Sequence, residues 1–202
     1  MTTAWESPAL ASSGLLNPKL GGPSVFPPIP DGVMALGQIK HEWRTSTGPD
    51  RFRRGLYTFT FRNTLHPSLA TFDAPDAIAA CTRRLRSNTP LQALNLLNDE
   101  AFVEFAQALA ARTLTEVPAP ADDAARVDYA FRLCTGREPT AEERGALLAL
   151  LEKQAKAFEL APGEAEALAG KRVPQGVPPA RFAAWTIAAR VLLNVDETIT
   201  RE

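Results

Sequence analysis

The amino-acid sequence predicts a mostly α-helical protein in which an irregular N-terminal half packs on a bundle of about four helices. Proline, glycine and arginine dominate residues 1–88. After residue 88, apolar residues recur close to the 3.6-residue period of a helix. Two Thr-x-x-Gln/Glu capping boxes mark helix starts there. We therefore divide the chain into residues 1–88 and 89–202, and we expect the two parts to form one cooperative domain.

The first seventy residues carry short and irregular elements. Ser7-Pro8 is typical of a helix start, and Gly14 can end that helix. Four prolines follow Gly22 within residues 21–32, and they exclude a regular helix or a central strand. Apolar residues alternate with these prolines, so this segment is predicted to be a packed, extended strap.

Residues 50–64 allow two interpretations, a strand and a helix. Tyr57, Phe59 and Phe61 alternate with threonines, which is typical of a strand. Phe52, Leu56 and Phe59 also fit one helical face, with Asp50 as its N-cap. We favour the helix.

The second half begins with a capping box at Thr89 and Gln92, with proline at the first helical position. Asn98-Asp99 is predicted to bend or split the helix that follows, and 117–120 to form a loop. Five apolar side chains are predicted to face the core from this helix: Leu94, Leu97, Phe102, Phe105 and Leu109.

Three further helices complete the predicted bundle. The first runs from Asp122 to Cys134 and ends at Gly136, the second starts at the Thr140 capping box and ends before Pro162-Gly163, and the last spans 179–195. The predicted inward positions are Val127, Phe131, Cys134, Leu147, Leu151, Phe158, Phe182, Trp185, Leu192 and Val195, and the predicted outward positions of the first helix are Arg126, Asp128 and Arg132.

Composition excludes several classes of function. A net charge of −1 over 202 residues gives no overall attraction to nucleic acid or to an anionic membrane. No apolar run reaches the roughly 18–20 residues that span a bilayer. The N-terminus lacks the basic segment and apolar core of a signal peptide, so we expect none in this chain.

Two cysteines and two histidines give no local metal or haem signature, because the spacings CxxC, CxxCH and HExxH are absent. We expect no cofactor and no metal in this chain. Cys81 and Cys134 leave two alternatives, a single disulfide or two buried thiols. We favour the thiols.

Arginine is concentrated between residues 40 and 90, where nine Lys and Arg stand against four Asp and Glu, a local balance of +5. Guanidinium groups suit carboxylate, sulfate or phosphate groups. The alternative, which we favour, is that these arginines bind backbone carbonyls and local carboxylates such as Asp50 and Asp73. The candidate ligand-binding residues are Arg53, Arg54, His66, Asp73, Arg83, Arg84 and Arg86.

Other polar motifs are interpreted structurally. His66, Ser68 and Asp73 contain the residue types of a hydrolytic triad, but no GxSxG is present, and we favour capping or packing roles for them. The acidic pairs at 122–123 and 142–143 lie at helix starts, where the helix dipole favours negative charge. No catalytic residue is assigned.

Five blocks of the sequence are long and specific: GGPSV at 21–25, DRFRRGLYTF at 50–59, HPSLATFDAPD at 66–76, SNTPLQALNLLND at 87–99 and FRLCTGREPT at 131–140. Together they resemble one known family, the C-terminal domain of unknown function of planctomycetal secreted, cytochrome-c-associated proteins. The chain departs from the family pattern at 60–62 and at 77–80.

The resemblance implies a place at the C-terminal end of a larger exported protein, in the periplasm or at the cell surface. The chain would then be a C-terminal fragment or a split gene product. Haem is implied only for an upstream c-type cytochrome-like domain, and the upstream domains are the implied partners. We therefore expect an interaction or docking module. The alternative is a component that binds anionic glycans or processes polysaccharides, and nucleic acid ranks last.

Overall fold

The computed structural model describes residues 6–30, 32–35, 42–61, 65–75, 87, 89–117, 120 and 122–199. These residues contain two isolated parallel bridges, Asn17–Arg53 and Val25–Thr58, and no β-sheet. Three 3-10 turns lie at Val33–Ala35, Gly48–Phe52 and Gly55–Tyr57. The described α-helices are α1 (Glu6–Ser13), α2 (Pro67–Thr71), α3 (Pro90–Asn98), α4 (Glu100–Glu116), α5 (Asp123–Thr135), α6 (Ala141–Leu160), α7 (Pro162–Ala169), α8 (Pro179–Leu193) and α9 (Asp196–Ile199). The predicted mostly helical fold is confirmed.

Helix α8 lies at the centre of the helical half, where it packs against α4, α6 and α7. Phe182, Trp185 and Leu192 are buried as predicted, and Val195 beyond the helix is half-buried. Alanines and a threonine on the other sides of α8 are buried as well. A helix that is apolar on nearly every side belongs in a core, and its small alanines allow neighbouring helices to approach closely.

The predicted helix boundaries at Thr89, Asp122, Gly136 and Thr140 are confirmed. Thr89 Oγ1 accepts from Gln92 N at 3.3 Å, and Thr140 Oγ1 accepts from Glu143 N at 3.2 Å, each with the reciprocal bond of a capping box. Asp122 caps α5, and Gly136 ends it with φ +81°. The predicted helix divides in two at Asn98-Asp99, where α3 ends and the Asp99 carboxylate caps α4.

The inward face of α3 differs from the prediction. Leu94 is exposed, and Leu96 is buried in its place. The cause lies in the capping box, because the Gln92 side chain turns inward and donates to Thr71 O and Ser87 Oγ, both at 3.0 Å. Leu96 lies one turn after Gln92 on the same side, so Leu94 points away from the core. Leu97 is half-buried, and Phe102, Phe105 and Leu109 are buried as predicted.

Two other predictions in the helical half need correction. Arg126 was predicted to face outward but is buried, because its Nε donates to Val117 O at 3.0 Å and its Nη1 pairs with Asp123 at 3.3 Å. Pro162-Gly163 ends α6 as predicted, but Pro162 also begins α7, which the sequence analysis missed. Proline is favourable at the first position of a helix, since that position needs no intrahelical N–H bond.

The prediction of a helix over residues 50–64 is wrong. Two 3-10 turns occupy 48–57, and Asp50 lies within the first of them rather than at an N-cap. The chain then extends beside the strap, where Val25 N donates to Tyr57 O and Phe59 N donates to Val25 O, both at 2.8 Å. The alternating strand interpretation fits residues 57–59, where Thr58 forms an isolated bridge with Val25. Residues 62–64 lie outside the described residues.

The irregular half packs on the bundle through α1 and a cluster of aromatic rings. Ala9 and Leu10 of α1 are buried in the same core as the bundle helices. Arg112 of α4 donates from Nη1 to Ala11 O and Ser12 O, at 3.1 and 2.9 Å, where α1 ends. Gly14 follows with φ +76°, as predicted for a helix end. The ring cluster comprises Phe26, Trp43, Phe59 and Phe61.

Candidate functional site

Arg53 binds the strap that precedes it in the sequence. Its guanidinium donates to Lys19 O at 3.0 Å, Gly21 O at 2.6 Å and Pro23 O at 3.2 Å. The same group lies over the Tyr57 ring, 3.7 Å from the ring centroid. Arg53 is only 4% exposed. Its terminal nitrogens are therefore occupied by backbone carbonyls and do not face solvent.

The other predicted site residues divide into two groups. Arg54 donates to Pro18 O at 3.2 Å, and Asp73 accepts from Ser87 N at 2.8 Å and Ser87 Oγ at 2.6 Å. Both residues therefore hold neighbouring chain segments. Arg83, Arg84, Arg86 and Cys81 lie outside the described residues, so their part in a site stays a prediction.

His66 is buried beneath the strap. Its Nε2 lies 3.1 Å from Pro28 O, and because a carbonyl oxygen only accepts, Nε2 carries the proton and donates. Burial lowers the pKa of His66 from 6.5 to about 4, against the opposing effect of this hydrogen bond. The imidazole is therefore neutral at physiological pH.

His66 and Ser68 do not form a catalytic pair with Asp73. The Ser68 hydroxyl bonds instead to Asp99, whose carboxylate also accepts from Ala101 N at 2.9 Å. Burial raises the pKa of Asp99, and these two hydrogen bonds oppose that rise. Among the described residues, no protein group bonds His66 Nδ1. The chain of nucleophile, base and orienting acid that a hydrolytic triad needs is not assembled by these three residues.

A small, partly open cavity brings two of the predicted residues together. Arg53 and His66 both line it, between the Pro27-Pro28 strap and the α4 residues Phe102 and Phe105. Its volume is about 30 Å³, which is too small for a sugar residue.

An open groove of about 480 Å³ lies on the outer side of the same wall. Arg51 and Glu104 line both spaces, and Lys171 and Arg172 add two cations to the groove. The Glu104 carboxylate pairs with Arg51 Nη2 at 2.8 Å and with Arg172 Nη2 at 2.6 Å. With Glu100 also at its edge, the groove holds three cations and two carboxylates.

Sequence reasoning missed this groove because its basic residues come from distant parts of the chain. The adjacent Lys171-Arg172 pair after Gly170 was the only local signal.

A second surface feature is the outer face of α3. Leu91 is 61% exposed and Leu94 is 58% exposed, and they lie one turn apart on the same side of the helix. Helix α3 contains no charged residue. We call Leu91 and Leu94 the α3 face.

The comparison with known families covers the larger part of this architecture. Residues 5–151 match the family model PSD1, described as a protein of unknown function (DUF1553). The chain belongs to the PSD1 family, the planctomycete secreted domain. No curated protein and no solved structure matches the chain.

The family match includes some of the surface features of this PSD1 domain and leaves others outside. The match ends at residue 151, within α6. It includes the α3 face, Arg51, Arg53 and His66, whereas Lys171 and Arg172 come after it. The groove therefore combines residues from inside and outside the matched part of the chain.

Metal-ligand clusters and membrane-spanning helices are both absent from the described part of this PSD1 domain. No group of three or more His, Cys, Asp or Glu side chains there could hold a metal ion. Cys134 is a free thiol inside α5, and burial raises its pKa to about 12. None of the helices in the described ranges is long and apolar enough to cross a membrane.

Proposed function

We propose that this chain is a docking module that packs against other domains of an exported multidomain protein. The observation that carries the proposal is the α3 face, where two leucines of a charge-free helix lie more than half exposed. Burying leucine side chains is favourable by about 1.5–3 kcal/mol each, so this exposure favours a covering partner.

The partner that we propose is the upstream part of the parent polypeptide, including its c-type cytochrome-like domain. Membership of the planctomycete secreted domain family supports this assignment and supports a location in the periplasm or at the cell surface. Haem would then belong to the upstream domain.

The test titrates the chain with a recombinant c-type cytochrome-like domain, taken from a protein that carries both domains, by isothermal calorimetry. We expect binding that Leu91→Ser/Leu94→Ser weakens at least tenfold. Leu160→Ser is the matched control, because Leu160 is 88% exposed at the end of α6. Circular dichroism establishes that each variant is folded. Equal weakening by the control variant would remove the α3 face from the proposal, and absence of binding to the upstream domain would end it.

A second candidate function is the binding of an anionic group, such as a sulfated or uronic-acid sugar, in the groove of Arg51, Lys171 and Arg172. One carboxylate, Glu104, is shared by two guanidinium groups, so their charge is only partly neutralised. Lys171 lies exposed beside them. Arginine forks suit the paired oxygens of carboxylate and sulfate groups. This site differs from the one predicted from sequence, since Arg53 is held by backbone carbonyls.

Titration with sulfated and uronic-acid oligosaccharides tests this candidate. Lys171→Ala/Arg172→Ala should abolish binding, whereas Lys153→Ala, an exposed cation of α6, should leave it unchanged. Binding that both variants retain would exclude the groove.

A further inference from the structure

We propose that the small cavity beneath the strap is a binding site for one ordered water molecule that hydrogen-bonds to His66 Nδ1 and to the Nε–H groups of Arg51 and Arg53. This inference is independent of the proposed docking function. It assigns a ligand to an internal site rather than to a surface.

Unpartnered nitrogens carry the proposal. His66 Nδ1, Arg51 Nε and Arg53 Nε are buried, and none has a hydrogen-bond partner among the described residues. All three side chains line the same cavity. His66 is 3% exposed and Arg53 is 4% exposed. Buried polar groups in folded proteins are nearly always paired with protein or with ordered water. Three side chains that each carry such an atom line one cavity, which favours a shared ligand.

The size of the cavity restricts that ligand. A water molecule needs roughly 10–15 Å³ of space for its centre and two to four polar partners. The cavity provides about 30 Å³ and three unpartnered nitrogens. That volume is about two to three times the space that one water needs, so one water fits with room for a second, and a sulfate does not fit.

The hydrogen-bonding roles favour water over a monatomic anion. Because His66 Nε2 donates to Pro28 O, Nδ1 of the neutral ring presents a lone pair. The two guanidinium Nε–H groups can only donate. A water accepts from the arginines and donates to Nδ1, whereas a halide would meet the Nδ1 lone pair unfavourably. The charged groups on the cavity wall are Arg51, Arg53 and Glu104, and Glu104 is already paired with Arg51.

The water would join two parts of the fold. His66 bonds to the strap through Pro28, and Arg53 bonds to it through Lys19, Gly21 and Pro23. Arg51 pairs with Glu104 of α4. A single molecule bonded to all three would tie His66 and Arg53, which hold the strap, to Arg51, whose ion pair with Glu104 reaches the bundle.

A crystal structure of the whole chain near pH 7, with a parallel crystal soaked in bromide, tests the proposal. We expect a spherical density peak at about 2.7–3.2 Å from His66 Nδ1 and from at least one arginine Nε. We expect no anomalous bromide signal at that position. An anomalous bromide signal in the cavity would show a site for a small anion and would overturn the proposed water. Featureless density, or a protein group bonded to Nδ1, would overturn the proposal.

Nuclear magnetic resonance provides an independent measurement in solution. Long-range ¹H–¹⁵N correlation of the His66 ring should show a proton on Nε2 and an acceptor at Nδ1 at pH 7. A proton on Nδ1 would contradict the assigned hydrogen bonds.

Discussion

Arginine and histidine side chains in the irregular half bind other parts of the same chain. A strap without regular secondary structure leaves many backbone carbonyls unpaired, and buried carbonyls need donors. Arg53 has five N–H donors in a fixed plane, so that one side chain reaches the carbonyls of Lys19, Gly21 and Pro23. A local excess of arginine in a segment rich in proline can thus reflect missing backbone donors rather than a ligand.

Replacing Arg53 by lysine should lower the free energy of unfolding by about 1–3 kcal/mol, because one ammonium cannot reach three separated carbonyls. Urea unfolding followed by circular dichroism measures this change. Arg54→Lys is the control, since Arg54 makes one carbonyl bond and is half-buried, and it should change stability by less than about 0.5 kcal/mol. Equal losses in the two variants would contradict the role given to Arg53.

His66 should make stability depend on pH. Burial lowers its pKa from 6.5 to about 4, so the unfolded chain binds the proton first as the pH falls. Its contribution is fully present above pH 6.5 and is lost as the pH falls towards 4, amounting to about 3 kcal/mol. Urea unfolding between pH 7 and 4 should show a flatter pH dependence for His66→Asn than for the native chain. Parallel curves would show that His66 does not titrate as described.

At the scale of single elements, the helix ends follow local chemistry and the helix faces follow their neighbours. Thr140 and Glu143 satisfy each other's backbone N–H groups whatever the helix packs against. The face that α3 presents inward is instead set by Gln92, which bonds to Thr71 O and Ser87 Oγ. The α3 face is consequently apolar and exposed, although its leucines fit a core pattern.

Replacing two glycines of the helical half by alanine should change the free energy of unfolding in opposite directions. Gly136 has φ +81°, where a side chain is strained, so Gly136→Ala should cost about 1 kcal/mol. Gly145 is exposed within α6, and a Cβ there meets nothing within 4 Å, so Gly145→Ala should stabilise by roughly 0.5–1 kcal/mol. Thermal and urea unfolding measure both changes. Stability changes of the same sign in the two variants would contradict the backbone conformations described at Gly136 and Gly145.

At the scale of the whole molecule, the two halves share one core. Ala9 and Leu10 of α1 belong to the same buried cluster as Phe131, Leu151 and Trp185. The aromatic cluster of the irregular half touches His66, which lies between Trp43 and the cavity wall. Neither half buries its apolar surface without the other, so separate unfolding would expose that surface to water.

The chain should therefore unfold in a single transition. Variants that retain Trp43 or Trp185 as the sole tryptophan report the irregular half and the bundle respectively. Their fluorescence midpoints in urea should coincide with each other and with the far-ultraviolet circular dichroism midpoint. A Trp43 transition at clearly lower urea would show that residues 1–88 and 89–202 unfold as separate units.

Part of the candidate site was accessible from sequence. The arginine excess identified Arg53, and the polar motif identified His66, and the two residues do line one cavity. Their partners could not be predicted, because the carbonyl acceptors of Arg53 lie 30–34 residues away and that of His66 lies 38 residues away. The groove joins Arg51 to Glu104 and Arg172, and no local pattern encodes that approach.

The sequence by itself determined the helical class, the helix ends at Thr89, Asp122, Gly136 and Thr140, and the extended strap. These features depend on hydrogen bonds and backbone preferences within a few residues, so they are readable in order along the chain. Only the tertiary structure decided that Leu94 faces out, that Arg126 is buried and that residues 57–59 lie beside Val25. Those outcomes depend on which distant groups compete for each donor, acceptor and apolar surface.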